Sequence, residues 1–184
     1  MNCYKFIPIV IFLSFLLISV SGCSQIDADN YINVLQGIMP AAPAAAGDLP
    51  NQALTPGAID PSVTQDNINT TICVSGYTKT VRPSSYKTGK MKLVSMKQYG
   101  YTDSPSNYEY DHLCPLAAGG CPDCTSNLFP EPYNSTSGYG ARVKDKLENA
   151  LHKKICNGDI TLKDAQDCIM QNWIECGRRL KVFA

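Results

Sequence analysis

The stretch from Tyr108 to Pro132 constrains the fold of this chain more than any other segment. Two short runs rich in apolar and aromatic residues, Tyr108–Leu116 and Asn127–Phe129, lie on either side of the pair Gly119-Gly120. A glycine pair between such runs marks a turn. The stretch therefore predicts two short strands joined by a loop.

Asp111 and His112 stand side by side within this predicted hairpin, and His112 is one of only two histidines in the chain. A carboxylate can hold a hard divalent cation through its oxygens. An imidazole titrates near neutral pH and can accept a proton from water. The pair therefore predicts hydrolytic chemistry.

Two helices are predicted after the hairpin. In Arg142–Ile155 an apolar residue recurs every four positions, which is typical of an amphipathic helix. Asn157-Gly158 should end it, and Thr161, in capping-box spacing with Asp164, should begin the second helix. The apolar side of that second helix predicts that the single tryptophan, Trp173, lies in the core.

The first of these helices carries candidate partners for Asp111. At about 100° per residue, Glu148 and His152 lie on one flank beside the apolar stripe, whereas Asn149 points more nearly away. A helix packed under the hairpin would bring this flank to a metal at Asp111. The alternative is that Glu148 pairs with Lys144 on the surface, as an i,i+4 ion pair, and that His152 is solvated.

The order of these residues resembles that of the HNH, or ββα-metal, nucleases. The resemblance rests on the DH pair, the Gly-Gly turn and Asn127-Leu128. It extends over TPGAIDPSVTQDNINTTICVSGYTKTVRP, YDHLCPL and KDKLENALHKKICNGDITLKDAQ, and covers roughly residues 54–173. These segments look like those of secreted or surface-exposed bacterial proteins with an HNH-like domain.

The resemblance implies an α+β fold with a small ββα-metal core, additional helices and disulfide staples. It implies that His112 is the general base and that Asn127 braces the loop and orients the histidine. Asp111, with Glu148 or His152, would hold the metal, most simply Mg²⁺, with Mn²⁺ or Zn²⁺ as alternatives. The family commonly has histidine or asparagine at this helix corner, so the identity of the helix ligand, Asn149 included, stays open.

The function implied is a metal-dependent endonuclease that hydrolyses phosphodiester bonds of DNA, RNA or both outside the cytoplasm. The formal net charge is zero, which is too weak to argue for nucleic acid by itself. From Lys79 to Gly100, however, six basic residues are interleaved with tyrosines and no acid occurs. Such a run suits phosphates and exposed bases, although a solvated helix face has the same composition. Arg82, Lys87 and Lys144 are the expected phosphate contacts.

The chain divides into three parts. Residues 1–22 contain an apolar run typical of a signal peptide, and residues 23–53 form a low-complexity tether before the 54–184 nuclease domain. Small residues before Cys23 resemble a bacterial lipobox, so Cys23 is expected to be lipidated and to anchor an envelope protein, periplasmic or on the cell surface, without spanning the membrane. If Cys23 is incidental, the protein is secreted.

Nine cysteines are present, and seven remain after Cys3 and Cys23 are set aside. Export to an oxidising compartment favours disulfides. Because seven is an odd number, one cysteine is expected to remain outside the intramolecular pairs. The family resemblance implies the pair Cys73–Cys156. For Cys121 and Cys124, in the hairpin loop, a disulfide, a zinc knuckle and a redox-active pair all remain possible.

Two more elements are predicted upstream, and two other functions compete with the nuclease. Thr71–Val81 mixes β-branched and aromatic residues and predicts a strand, and Lys90–Tyr99 predicts a helix. The first alternative function is a surface-anchored, non-catalytic binding module on an HNH-like scaffold. The second is a redox protein that uses Cys121 and Cys124.

Overall fold

The computed structural model describes residues 48–184. The predicted signal peptide (1–22), the predicted lipidation site Cys23 and most of the 23–53 tether lie outside the described residues. Between residues 48 and 184, no helix is both long enough and apolar enough to cross a lipid bilayer. The described part of the chain contains the whole of the 54–184 segment.

Besides four short 3₁₀-helices, the regular structure of the described residues consists of four α-helices and one two-stranded sheet. In chain order they are α1 (Tyr77–Val81), α2 (Ser85–Gln98), β1 (Tyr108–His112), β2 (Leu128–Pro132), α3 (Ala141–Asn157) and α4 (Leu162–Arg179). The domain is a mixed fold of helices with a small antiparallel sheet, as the α+β class requires.

The predicted hairpin is present, and its register determines which side chains meet. Asp111 lies opposite Phe129, and His112 lies opposite Leu128. Because side chains alternate between the two faces of a strand, Asp111 shares a face with its diagonal neighbour Glu131, and His112 belongs to the other face. Helix α2 is fastened to β1 by Lys92, whose Nζ donates to the carbonyl oxygen of Tyr108 at 2.5 Å.

Helices α3 and α4 pack on each other and supply most of the core. The apolar stripe predicted for α3 is fully buried at Leu147, Leu151 and Ile155. Ile169 and Trp173 of α4 are also fully buried, which confirms Trp173 as a core residue. These contacts hold α3 firmly beside the hairpin loop.

The helix boundaries follow the cap residues. Helix α3 ends one residue before Gly158, as predicted. Thr161 is the N-cap of α4, and its Oγ1 accepts from the backbone nitrogen of Asp164 at 3.1 Å. The predicted Lys90–Tyr99 helix is part of the longer α2, because Ser84 caps an earlier start by accepting from the backbone nitrogen of Lys87 at 3.3 Å.

Helix α4 is broken at Asn172, where φ is −165° and ψ is 99°. The Cys168–Cys176 disulfide spans this break, with its Cα atoms 5.3 Å apart. In a straight helix, eight residues rise about 12 Å, and a disulfide needs Cα atoms within about 7 Å. The bend is therefore what allows these two cysteines to pair.

The strand predicted for Thr71–Val81 is wrong. The segment forms turns followed by the short helix α1. Gly76 adopts a left-handed conformation (φ 86°) that reverses the chain, and Cys73 is tied to α3 by a disulfide. Strand propensity is weak where no neighbouring strand is available to pair, and tertiary contacts override it here.

The described residues contain three disulfides: Cys73–Cys156, Cys121–Cys124 and Cys168–Cys176. The first is the pair that the family resemblance implied, and it joins residues 83 positions apart. Cys114 is the thiol left over, and it is buried. Three disulfides in a small domain indicate an oxidising, extracellular environment.

Candidate active site

The loop that follows Asp111 and His112 is held by one side chain. Asn127 is fully buried, and its Oδ1 accepts from the backbone nitrogen of Cys114 at 2.9 Å and from that of Ala58 at 3.3 Å. Its Nδ2 donates to the carbonyl oxygens of Cys114 and Cys121, both at 3.0 Å. Asn127 thus joins the two ends of the loop.

The loop closes tightly enough to require glycine at one position. A Cβ on Gly120 would lie 1.8 Å from the carbonyl oxygen of Cys114 and 3.0 Å from Nδ2 of Asn127. Any larger residue would push apart the groups that Asn127 holds together. The Gly-Gly signal in the sequence therefore has a direct steric cause.

We expect Asn127→Asp to destabilise the domain by about 2 kcal/mol or more, although the two side chains have nearly the same shape. Aspartate can still accept from the backbone nitrogens but cannot donate to the carbonyls of Cys114 and Cys121, and it would set a carboxylate against them. Urea unfolding of the disulfide-intact protein measures the difference. An unfolding midpoint equal to that of the wild type would show that the brace does not carry stability.

A buried ammonium group lies at the centre of the site. Lys144 of α3 is 0 % exposed, and its Nζ donates to Oδ2 of Asp111 and to the carbonyl oxygen of His112, both at 2.6 Å. Its third partner is Oε1 of Glu148, one helical turn further along α3. An ammonium group has three protons, so Lys144 has none left for another group.

Three carboxyl groups face this single ammonium group. Burial acts to raise the pKa of Asp111, but the Lys144 ammonium outweighs it and the pKa lies below the usual value. Burial raises the pKa of Glu148 to about 7 despite the opposing effect of Lys144. Burial likewise raises the pKa of Glu131 well above its usual value, and the Asp111 and Glu148 charges add to that effect. The raised pKa values favour the protonated forms of Glu131 and Glu148, so Asp111 is the carboxylate that chiefly balances the Lys144 charge.

The raised pKa of Glu148 predicts a pH dependence of stability. The folded state holds the Glu148 proton more tightly than the unfolded state. The contribution of this proton to the free energy of unfolding is therefore complete below about pH 4.5 and is lost as the pH rises through about 7. We expect Glu148→Gln to lose less stability than the wild type between about pH 5 and about pH 8, measured by urea unfolding. The lowered pKa of His112 has the opposite effect on the pH dependence of stability. Because both proteins contain His112, this effect cancels when they are compared. Equal losses in the two proteins would contradict the prediction.

His112 is held in one tautomer. Its Nε2 lies 2.8 Å from the carbonyl oxygen of Pro122, which can only accept, so Nε2 carries the proton. Nδ1 then has a free lone pair, and it makes no hydrogen bond with any residue from 48 to 184. Burial lowers the pKa of His112, although the Pro122 hydrogen bond and the Asp111 charge oppose this. Neutral imidazole, which can accept a proton, is therefore favoured.

Charged residues surround the opening of the site. Glu109 of β1 is half-buried and Asp145 of α3 is exposed. Burial, followed by the charge of Asp111, raises the pKa of both. Arg82 is exposed directly after α1, and its charge acts on Glu109 and on His112. Its side chain makes no ion pair within the described part of the chain.

Two of the residues expected to bind phosphate have other partners. Lys144 is buried with all three protons engaged, so the assignment of Lys144 as a phosphate contact is corrected by its burial. Lys87 forms an exposed ion pair with Asp123 of the hairpin loop at 2.5 Å. Arg82 alone of the three is exposed without an ion-pair partner among residues 48–184.

Of the two candidate helix ligands, only Glu148 shares the Lys144 ammonium group with Asp111. Nε2 of His152 lies 2.9 Å from the carbonyl oxygen of Ile72, beside the Cys73–Cys156 disulfide. The expected Glu148–Lys144 ion pair does form, but it is buried and includes Asp111 instead of lying alone on the surface.

Glu131 is the residue that the sequence analysis missed. It is fully buried on β2, on the face of Asp111. The available signal was an acid in the otherwise apolar run LFPEP, four positions after Asn127. Using that signal required the strand register, because only the register places Glu131 diagonal to Asp111.

Two groups of three side chains in the described residues could hold a metal ion: Cys73, His152 and Cys156, and Cys121, Asp123 and Cys124. Within each group the ligand atoms lie within 4.8 Å of one another. Both cysteines of each group are joined in a disulfide, so binding through thiolates would require reduction first.

The carboxyl cluster has the chemistry of a site for a hard cation. Mg²⁺ and Mn²⁺ prefer oxygen ligands, which Asp111, Glu131 and Glu148 carry. Lys144 donates to Asp111 and to Glu148, and the protonated carboxyl group of Glu131 shares a hydrogen bond with that of Asp111. The side chains of Asp111 and Glu148 remain 14 % and 19 % exposed, which gives an ion access. Asp111 and Glu148 therefore offer oxygen ligands to a divalent cation, whereas the ligand atoms of all three carboxyl groups do not lie within 4.8 Å of one another.

Comparison with known proteins identified no relative: no family model, no curated protein and no solved structure matches the chain.

Proposed function

We propose that the domain is an HNH-like, metal-dependent endonuclease that hydrolyses phosphodiester bonds of nucleic acid outside the cytoplasm. The observation that carries the proposal is the arrangement around the hairpin. Asp111 and His112 end strand β1, Asn127 braces the loop behind them, and the helix after β2 brings Glu148 to the same ammonium group as Asp111. Strand, strand and helix follow the order of a ββα-metal core.

In the proposed reaction His112 accepts the proton of the attacking water. Its Nδ1 is the acceptor, because the Pro122 carbonyl holds the proton on Nε2. The lowered pKa keeps the ring neutral at pH 7, so the base is ready without prior deprotonation. Asn127 keeps the loop, and with it the ring, in one position.

Asp111 and Glu148 would hold a Mg²⁺-like ion, which would stabilise the negative charge that develops on the phosphate. Lys144 fixes both carboxylates at one place by donating to each of them. It also offsets part of their mutual repulsion, so they can approach each other in a site with little water. Lys144 is therefore a positioning residue.

Exposed cations near the opening would bind the substrate backbone. Arg82 is not engaged in an ion pair between residues 48 and 184, and Lys87 is held only by an exposed pair, which is worth little and exchanges easily. The same proposal includes an envelope location with lipid attachment at Cys23, or secretion if Cys23 is not lipidated.

The test is cleavage of plasmid DNA and of RNA by the disulfide-intact protein with Mg²⁺, Mn²⁺ or EDTA, beside Asp111→Asn. Asparagine still accepts a hydrogen bond from Lys144 but removes the charge that would hold the metal. We expect cleavage with metal, and loss of cleavage both with EDTA and in the variant. Cleavage that persists in EDTA would contradict metal dependence.

One observation favours a non-catalytic binding module instead. His112 is only 4 % exposed and is covered by the Pro122 segment of the disulfide-closed loop. A base that water cannot reach would not act. Absence of cleavage with every metal, in protein shown to keep its three disulfides, would favour this alternative over the nuclease.

A further inference from the structure

Tyr133 and Arg142 form an aromatic–cation pair beside the candidate site. Tyr133 directly follows β2, and Arg142 is the second residue of α3. The central carbon of the Arg142 guanidinium group lies 5.8 Å from the centre of the Tyr133 ring. Arg142 is exposed, and it forms neither an ion pair nor a side-chain hydrogen bond with any residue from 48 to 184. The charge of Arg142 is therefore available to a ligand.

The backbone holds this pair in place. The backbone nitrogen of Tyr133 donates to the carbonyl oxygen of Asn107 at 2.9 Å, which extends the pairing of the hairpin by one residue. Gly140, immediately before α3, packs on the same segment, because a Cβ there would lie 2.7 Å from the carbonyl oxygens of both Pro132 and Tyr133. The start of α3 is thus packed directly against the end of β2, which keeps Arg142 beside the Tyr133 ring.

The pair is close enough to the carboxyl cluster for their charges to interact. Burial raises the pKa of Tyr133, and the charge of Glu109 adds to this rise. The charges of Asp111 and Asp145 act in the same direction, whereas the charge of Arg142 opposes them. These interactions place Tyr133 and Arg142 near the opening of the site, so a chain-like ligand bound at Asp111 has the pair as a neighbour.

Two clefts contain Tyr133, and only one of them carries a cation. The first has a volume of about 250 Å³ and is lined by Tyr133, Arg142, Val143 and the loop that joins β2 to α3. Sites that enclose a drug-sized ligand measure about 300–1,000 Å³, so this cleft suits part of a ligand, such as one planar base. The second cleft, of about 420 Å³, is lined by Asp103 and uncharged residues, which disfavours a phosphate there.

An aromatic ring beside an unpaired guanidinium group is a combination that binds one nucleotide of a single strand. Bases stack on tyrosine rings, and the guanidinium fork matches the geometry of a phosphate. A base inside a duplex is stacked between its neighbours, so only an unpaired base can be splayed out onto a side chain.

We propose that Tyr133 and Arg142 form a subsite for one unpaired nucleotide, with the base on the Tyr133 ring and the phosphate at the Arg142 guanidinium group. The inference rests on the proposed function for the choice of nucleic acid as the ligand. It adds a substrate class to that function, because a stacking subsite favours single-stranded over double-stranded nucleic acid.

The experiment measures binding of a labelled single-stranded DNA oligonucleotide, and of the duplex of the same sequence, to the disulfide-intact protein. Fluorescence anisotropy in EDTA reports binding without cleavage. We expect the wild type to bind the single strand more tightly than the duplex. Tyr133→Leu should weaken single-strand binding by about 5- to 100-fold, the usual loss of one stacked base, and should remove the preference over the duplex. Tyr133→Phe keeps the ring and should bind within about twofold of the wild type.

The salt dependence of binding tests Arg142. Arg142→Gln should weaken single-strand binding and make the slope of log affinity against log salt concentration shallower by about 0.7, the value for one phosphate contact. The matched control is Arg178→Gln, which removes the same charge. Arg178 also lies over a tyrosine ring, 5.1 Å from the centre of Tyr139, but its Nη2 and Nε donate to the Tyr139 hydroxyl at 2.8 and 3.2 Å. Because its guanidinium group is engaged, Arg178→Gln should leave the slope unchanged and the affinity within about twofold of the wild type.

The outcomes separate this inference from the proposed function. Wild-type affinity in Tyr133→Leu and Arg142→Gln overturns the subsite and leaves the nuclease standing. Weaker binding by both variants, in a protein that cleaves no nucleic acid with any metal, supports the subsite and overturns the nuclease. A wild type that binds neither probe overturns the subsite together with nucleic acid as the ligand.

Three further results decide the details. Equal affinity of the wild type for single strand and duplex overturns the assignment of an unpaired base. An equal loss of affinity in Arg178→Gln and Arg142→Gln overturns the phosphate contact, since net charge alone would then explain both losses. If Tyr133→Leu does not fold, the salt slope of Arg142→Gln decides: a shallower slope supports the subsite, and an unchanged slope overturns it.

Discussion

Replacing Lys144 with methionine is expected to lower the free energy of unfolding by about 3–5 kcal/mol at neutral pH. Methionine fills similar space but removes the only ammonium group among three carboxyl groups. Asp111 and Glu148 would lose their shared donor, and the carbonyl oxygen of His112 would be left without one of its partners. Chemical denaturation of the disulfide-intact protein measures the loss.

Helix α4 offers a matched control. Lys163 and Asp167 form an ion pair with the same i,i+4 spacing as Lys144 and Glu148, but their side chains are 79 % and 44 % exposed. Lys163→Met should leave the free energy of unfolding nearly unchanged, because exposed ion pairs contribute little. The same small change in Lys144→Met would show that the buried network is not a stabilising unit.

The loss of unfolding free energy in Lys144→Met should also depend on pH. Without the ammonium group the lowered pKa of Asp111 would rise and the already raised pKa values of Glu131 and Glu148 would rise further in the folded state. The folded variant would then bind protons more tightly than the unfolded chain. Its stability is then greatest in acid and is lost as the pH rises through those values. The difference in the free energy of unfolding between variant and wild type should therefore be smaller at about pH 4 and larger at about pH 8.

The second large effect is expected in catalysis. If the proposed function holds, His112→Ala should lower kcat/KM for nucleic acid cleavage by about 10²–10⁴-fold, the usual contribution of a general base. Folding should be retained, because Asn127 and the Cys121–Cys124 disulfide still hold the loop. Initial rates on a labelled substrate, with near-UV spectra to verify folding, measure the effect.

His152→Ala is the matched control, since it removes the only other histidine. His152 interacts with the carbonyl oxygen of Ile72, away from Asp111, so its loss should cost about 1 kcal/mol of stability and leave the rate nearly unchanged. A low rate in His152→Ala with a normal rate in His112→Ala would reverse the assignment of the base. Equal rates in both variants and the wild type would exclude a histidine base.

Part of the site could be predicted because its signals are short in range. Asp111 and His112 are adjacent, and Asn127 follows the glycine pair that closes their loop. The helical angle put Glu148 at the edge of the buried face of α3, where it pairs with the Lys144 ammonium group that Asp111 also shares. Each of these placements depends on local geometry that the sequence itself specifies.

His152 shows where such reasoning ends. It lies one helical turn beyond Glu148 on the same flank, about 5.4 Å further along the axis. Within that turn the neighbour of the helix changes from the hairpin to the segment of Cys73, to which Cys156 is tied. Helical periodicity gives the flank of a residue, but the neighbour at each height depends on the packing of distant segments.

The sequence by itself determined the helices α3 and α4, the hairpin and the adjacent pair Asp111-His112, because periodicity, caps and turns act within a few residues. Only the tertiary structure decided that Lys144 is buried, that Glu131 joins the site and that the segment before α1 is not a strand. These outcomes depend on contacts between residues far apart in the chain, such as the Cys73–Cys156 disulfide and the contact of α3 with β1. Local sequence does not predict which side chains become buried, or which charges become paired, where such distant segments pack together.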